Sequence, residues 1–573
     1  MKKSTFLLSL LLLSANPALA EDDVPFRAMK DEMGRSMSAL KIKGHEAPYF
    51  MSYSLKTIDV KGVSASFGAI DSRSNYKNRT LSVEVRVGSH DLDNTNSGRG
   101  SRTYSENPDV TIDDDYQALR HALWLQTDEQ YKSAVERLEA KKAQLLQNNI
   151  KDRPADFTKA EAVTSLSPPV VPTFDKEKWH ETVRKVSTIF KEYPKIDQSS
   201  VSFVMDSVNR WFINSDGTKV FDGRPEYALT ITASARAADG ATVSDGDVII
   251  ARTEADIPDA DELSKRVRAI ADQLTSSAAA TVVEDYSGPI LFEGPAAGEF
   301  FAQTLAKNLV NPIEPLIGNS MANLFRGNNP FKEKIGSRIL PTFVSVVDDP
   351  FATEYKNTKL FGTLLIDHEG VKAQKITLVD KGILKTFCST RTPSRYVKLS
   401  NGHARGGAAS PTNLFVTTDK ASTKEELYAK LRELGKDQGL KKVLIVRRLQ
   451  NSMTKLTGGS FLSILGGLSQ GAGSITLAPA AVVFEVDVET GKETPSRVTP
   501  FAGIGIRTLR DIVVMGDDSA AYPLVPAASR NSGDALSIIA PSFIVKEMDT
   551  EKTERSSEKP PILPNPYFEK QAN

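Results

Sequence analysis

The residues of this chain that could do chemistry are few and widely spaced. Glu299 sits in the stretch Tyr286–Val310, which holds a Gly288-Pro289 turn signal, an apolar run Ile290–Phe292 and a Gly294-Pro295 break, then Phe301, Leu305 and Leu309 at helical spacing. Strand, tight turn, then a helix entered through small residues is a common place to put a site. Taken alone, Glu299 reads as a carboxylate in the first turn of a helix, where the macrodipole favours it. Of six histidines, His368 lies between Asp367 and Glu369, a neighbourhood that could hold a metal, and His403 lies on another glycine-rich loop. The competing reading makes both of them turn residues with local hydrogen bonds. His45, His90, His121 and His180 stand singly. Gly467-Leu468-Ser469-Gln470-Gly471 matches the G-x-S-x-G nucleophile elbow, but that arrangement needs a later histidine and none follows His403. The same glycine run lacks the Gly-Lys-Ser/Thr ending of a phosphate-binding loop. The single cysteine, Cys388, excludes an intramolecular disulfide and reads as a small buried hydrophobe.

Several domains must position these residues, because 573 residues exceed what one hydrophobic core supports. Charged residues at 25% and hydrophobic ones at 40% are an ordinary globular balance. A formal net charge of zero leaves no global field to recruit nucleic acid or an acidic membrane, so neither is expected as a partner. Lys2 and Lys3, the apolar run Phe6–Leu13 and Ala18-Leu19-Ala20 have the three-part form of a secretory signal over residues 1–20. That apolar run is too short to span a bilayer, and no other run is long enough. The expectation is a mature chain beginning near Glu21, periplasmic or secreted in a bacterium, with no membrane span.

Phe26, Met29, Met33, Met37 and Leu40 follow the three-four rhythm of a helix, while Tyr49–Leu55 and Leu81–Val87 alternate as strands. Residues 21–110 therefore read as an N-terminal α+β domain, with a polar surface loop over Ser89–Asp109. A middle α+β domain is expected over 111–284. It has a helix start at Asp113–Asp115 and a second at Thr127, with Gln130 completing a capping box. A proline-punctuated exposed connector follows from Pro154 to Pro172, then a helix through Trp179 and Phe190. Strands are expected at Val201–Met205 and Trp211–Ile213 before an Asp216-Gly217 turn, then at Leu229–Ala235, and a helix at Leu263–Leu274. From 285 to 547 short strands and glycines dominate around one helix, Glu425–Leu434. Residues 548–573, rich in Lys, Glu and Pro, read as a disordered tail. The fold class is α+β throughout, with a strand-rich C-terminal domain.

That last domain carries blocks that resemble one family. Gly288-Pro289, Asp367-His368-Glu369-Gly370, Lys375–Val379 with Lys381-Gly382-Ile383-Leu384-Lys385, Ser400-Asn401-Gly402-His403-Ala404-Arg405 and Pro411-Thr412-Asn413 are the residues concerned. Their order and spacing resemble the TldD/PmbA family, zinc metallopeptidases first described as microcin-maturing and gyrase-modulating factors. In the catalytic branch the helix after Gly288-Pro289 carries H-E-x-x-x-H, which falls here on Gly298–Gln303. Glu299 matches the general base, whereas Gly298 and Gln303 stand where the two zinc-binding histidines would be. The branch's third ligand, a C-terminal cysteine, has no counterpart around Ala520–Gly533. The resemblance thus implies the family fold without the HExxxH motif, with no catalytic residue, no metal and no other cofactor, zinc being expected only in catalytic relatives. It implies a peptide-binding or partner subunit, as a homodimer or as a heterodimer with an HExxxH-bearing paralogue. Glu299, Gln303, His368 and His403 are then the candidate substrate-binding residues. Two alternatives stay open: an active metallopeptidase with non-standard ligands such as His368, His403 and a carboxylate, or a non-catalytic envelope protein.

Overall fold

The structure is a computed structural model and describes residues 23–96, 104–107, 110–313, 329–450, 475, 477–524 and 535–551. The expected signal segment, the Ser469 motif and residues 552–573 lie outside these residues. Helix α1 (Val24–Ala39) leads into long antiparallel strands β1 (Pro48–Ser66) and β2 (Ala69–Val87). Strand β3 (Tyr104–Asn107), helix α2 (Tyr116–Gln147), strand β4 (Thr164–Leu166) and helix α3 (Lys176–Thr188) follow. Strands β5 (Ile196–Asn214), β6 (Lys219–Arg236) and β7 (Thr242–Ala251) and helix α4 (Ala260–Ala279) complete this half.

All seven strands form one sheet, in the order β3-β2-β1-β5-β6-β4 with β7 also paired to β6. The expected division at residue 110 therefore falls inside a single sheet. Pairing of β1 with β5 runs from Ser52↔Asn214 to Ala65↔Val201, so the expected N-terminal and middle domains share a continuous hydrogen-bond ladder. Because side chains alternate faces along a strand, Tyr53, Leu55, Val83, Phe203, Met205 and Leu229 line one side and pack under the helices. Three further expectations change. The polar stretch Ser89–Asp109 contains β3, which pairs with β2. No helix begins at Thr127: α2 runs unbroken for 32 residues from its Asp115 cap, whose side chain accepts from the Ala118 N–H, and the Thr127 hydroxyl instead bonds the buried Tyr53 hydroxyl at 2.8 Å. The two strands expected between Val201 and Ile213 are one, because the polar residues Asp206–Arg210 interrupt the hydrophobic pattern without interrupting the ladder.

The C-terminal half is built on two more sheets. One has six strands, in the order Ile383–Leu384, Ile376–Asp380, β10 (Val344–Asp348), Asn413–Thr418, Leu536–Ala540 and Ala520–Leu524. The other has nine strands, with β9 (Ser287–Phe292) between Phe543–Thr550 and Lys442–Leu449, and with β8 (Val282–Val283) at one edge. The strand Phe543–Thr550 extends past the expected tail boundary at 548. The largest core draws side chains from both sheets, and helix α5 (Pro295–Phe301) is buried within it. Phe292, Phe300, Phe301 and Phe543 pack as a cluster with ring centroids 4.7–5.2 Å apart between the contacting pairs Phe301–Phe543, Phe300–Phe543, Phe292–Phe300 and Phe292–Phe543. The expected helix appears as Lys424–Asp437, opened by a Thr423–Glu426 capping box.

The two halves are joined by buried polar contacts as well as apolar ones. Arg391, fully buried, donates to Thr158 O and Asp216 Oδ2, both at 2.9 Å, and lies 4.0 Å over the Phe157 ring. The connector expected to be exposed from Pro154 to Pro172 is therefore partly buried, with Asp156 and Phe157 held in this junction. No described helix is long and apolar enough to cross a membrane.

Candidate functional site

Helix α5 begins where Gly294 takes a positive φ of 60° and Pro295 occupies the first helical position, a combination that turns the chain sharply out of β9. Every residue from Ala296 to Phe301 is buried. After Phe301 the helix widens into a π turn over Ala302–Ala306, where the Thr304 hydroxyl donates to Phe300 O at 2.7 Å.

Glu299 is expected as a first-turn carboxylate, but α5 starts at Pro295, so Glu299 lies beyond the first turn and is buried. It is 8% exposed, and its Oε2 accepts the Leu449 N–H at 2.6 Å. Burial pushes its carboxyl up to about 8, against the opposing pull of that N–H and of Arg448. Arg448 is itself held by Asp245 of β7, through Nη1 to Oδ1 at 3.0 Å, so the surroundings of Glu299 reach into the first half of the molecule. Gln303 lies one turn on from Glu299. Its Oε1 accepts the Ala478 N–H at 2.7 Å, and its Nε2 is buried with no partner among the described residues. The two candidates on this helix are therefore brought together, each turned toward a backbone N–H at the ends of the segment 449–478.

Gly298 has a steric reason to be glycine. A Cβ placed there would lie 2.4 Å from Cδ2 and 2.5 Å from Cγ of Tyr522, so the Tyr522 ring occupies the space of a side chain at 298. Zinc at this helix does not fit the residues present: Gly298 offers no donor, the Gln303 carbonyl oxygen is already engaged, and Cys388 is the only cysteine of the chain.

His368 and His403 are neighbours in chain trace but not in role. His368 is half-buried, and its Nδ1 accepts the Gly406 N–H at 3.0 Å. Burial, together with Arg210, Lys56 and Arg224 of the first sheet and Arg405, holds its ring well below the ordinary histidine range, so it is neutral near pH 7. Its neighbours Asp367 and Glu369 make turn contacts. Asp367 Oδ1 accepts from the N–H groups of Glu369 and Val371, both at 2.9 Å, and Glu369 Oε2 accepts from Arg391 N at 2.6 Å. Burial, and then the proximity of Asp367, pushes Glu369 up to about 7. His403 is fully buried and bonds inward to Asn401 and Asp348. Among the described residues, the ligand set His368, His403 and a carboxylate is not assembled, whereas Asp348, Cys388 and His403 come together. Sequence reasoning missed this cluster because its members are 40 and 15 residues apart with no motif spacing. The signals were His403, already a candidate ligand, and the sole cysteine.

The motif blocks prove to be parts of one internal network. Asn413 Oδ1 accepts from Gly362 N at 2.9 Å, Thr412 N donates to Asp348 Oδ2 at 2.8 Å, and Arg405 donates to Ala535 O and Gly362 O. They hold the C-terminal domain together.

That domain has recognisable relatives. Residues 286–552 match the family model for the PmbA/TldA metallopeptidase C-terminal domain. Among curated relatives, a metalloprotease of Methanocaldococcus jannaschii is 30% identical over 86 residues, 14% of this chain and 18% of that protein. A metalloprotease TldD homolog of Buchnera aphidicola is 24% identical over 212 residues, 36% of this chain and 38% of that one. The chain thus matches well under half the length of these relatives. Among solved structures, TldE from Thermococcus kodakarensis is 13% identical, with a TM-score of 0.56 over 91% of this chain and 99% of that one. A Thermotoga maritima protein named for modulation of a DNA gyrase is 17% identical, with a TM-score of 0.56 over the same shares. At these identities the structures show the fold alone, and that fold is the mixed α+β architecture expected. The matches therefore show that residues 286–552 are similar to the C-terminal domain of PmbA/TldA metallopeptidases, and that the chain shares its fold with TldE and with the Thermotoga maritima protein.

Proposed function

We propose that this chain is an exported, non-catalytic member of the TldD/PmbA family that binds peptide or partners a catalytic subunit. The observation that supports the reading is the packing of Tyr522 into the space beside Gly298, which leaves no room for a larger side chain at that position. Glu299, which resembles the family's general base, is buried with a raised carboxyl and is engaged by a backbone N–H. A base needs a metal-bound water to activate, and the helix offers none of the ligands to hold the metal. The similarity to a chain named TldE supports a subunit role.

The test is peptide hydrolysis by the purified chain alone and after co-expression with an HExxxH-bearing relative from the same host. Cleavage only in the pair, with the two chains co-eluting, is the expected result. Chelator-sensitive cleavage by the chain alone, retained in Glu299→Gln, would refute the proposal in favour of non-standard ligands. Export is tested separately, by N-terminal sequencing of the native protein, with a start near Glu21 expected.

A further inference from the structure

We propose that Asp348, Cys388 and His403 form a buried site for a thiophilic divalent metal ion such as zinc, separate from the Gly298–Gln303 helix. Their ligand atoms lie within 4.8 Å of one another, and all three residues are fully buried. Asp348 closes strand β10; Cys388 is fixed by its N–H to Leu309 O at 2.9 Å and its carbonyl to Asn311 N at 2.8 Å. His403 lies in the turn after Gly402. The inference does not rest on the proposed function, since a structural metal here is compatible with either a catalytic or a non-catalytic chain.

The hydrogen bonds around His403 aim its Nε2 at Asp348. The Asn401 side chain is fixed in orientation, because its Nδ2 donates to Phe387 O at 2.8 Å and its Oδ1 accepts from Ser389 N at 2.7 Å. His403 Nδ1 therefore faces two acceptors, Asn401 O and Asn401 Oδ1, both at 2.9 Å, and must carry a hydrogen. Nε2 then faces Asp348 Oδ1 at 3.0 Å. Asp348 also accepts from Thr412 N at 2.8 Å and from the Thr412 hydroxyl. Nε2 and Asp348 Oδ1 are thus two facing donor atoms of the kind a metal ion bridges.

Cys388 favours the metal. A shared proton gives the sulfur no role, whereas a borderline-soft ion takes imidazole nitrogen, carboxylate oxygen and thiolate together. A histidine whose other ring N–H is tied to a backbone carbonyl is the outer-shell arrangement of ligating histidines. One thiolate and one carboxylate neutralise a divalent ion, so the buried centre would carry no net charge. On binding, the thiol proton leaves to solvent, as does any proton held between His403 and Asp348. Because the cluster is closed to solvent, the metal enters as the chain folds.

The test uses the full chain expressed with zinc or with cobalt(II) in the medium, then dialysed against EDTA. About one metal ion per chain is expected, and the cobalt form should show a thiolate-to-metal charge-transfer band in the near ultraviolet. Cys388→Ser should lose the band and most of the metal while keeping its far-ultraviolet circular dichroism. Gln303→Ala should keep both. Metal-free protein from metal-rich medium, or bound cobalt without the thiolate band, would overturn the assignment. Loss of metal in Gln303→Ala would move the site to α5 and overturn it equally. The unmodified cobalt protein decides the matter even where Cys388→Ser fails to fold.

Discussion

Replacing Glu299 with glutamine tests the energetic account of α5 directly. The glutamine amide keeps a carbonyl oxygen for the Leu449 N–H and removes the titrating group. In the folded chain burial holds the Glu299 carboxyl at about 8, against an ordinary value of 4.5. The folded state therefore keeps a proton that the unfolded state releases, and the contribution of this group to stability falls as pH rises from about 4.5 to about 8. At ~1.4 kcal/mol per pH unit the full window corresponds to roughly 5 kcal/mol, most of it already lost by pH 7. Glu299→Gln should thus track the wild type in urea denaturation near pH 5 and become the more stable protein above pH 8, by several kcal/mol. Unfolding free energies of both proteins measured at half-unit steps from pH 5 to 9 would show the two curves diverging. Parallel curves, or a wild type that gains on the variant as pH rises, would mean that Glu299 is ionised and paired with Arg448, and the desolvation argument would be wrong.

Two further outcomes follow from named contacts. Gly298→Ala should lose about 1–3 kcal/mol of stability by forcing a Cβ into the Tyr522 ring, and Tyr522→Ala in the same chain should recover part of that loss. If Gly298→Ala is neutral in chemical denaturation, the helix has room that the structure denies. Arg391→Met should cost about 1–3 kcal/mol, because Thr158 O loses a buried donor while the partly exposed Asp216 stays solvated, and limited proteolysis should then cut between the two halves. An unchanged cleavage pattern would place the strength of the junction in its apolar contacts.

How far the sequence could be read depended on the range of the physics involved. Period-two alternation and the three-four rhythm of α1 are local, and α1 appears where the pattern puts it, whereas β1 runs on to Ser66 and β2 begins at Ala69, well beyond the alternating runs Tyr49–Leu55 and Leu81–Val87. The pattern failed where a residue served a partner far away. Thr127 has the form of a cap but is committed to Tyr53, 74 residues earlier, and the polar residues inside β5 keep their place in its ladders with β1 and β6. The motif blocks were legible as blocks, but not as the hydrogen-bond network they form, since Thr412 with Asp348 and Asn413 with Gly362 join loops 64 and 51 residues apart.

The helix after Gly288-Pro289 shows the same division. Residue types alone determined that Gly298 and Gln303 cannot hold zinc as histidines do, because a missing donor is a property of the side chain. Composition alone likewise excluded a disulfide and a global field for nucleic acid. Only the tertiary structure decided that Tyr522 fills the space beside Gly298 and that Glu299 is buried. Only the fold brought Asp348, Cys388 and His403 within reach of one another. Desolvation and ligand geometry depend on neighbours supplied by distant segments, and a linear chain does not specify them until its sheets have paired.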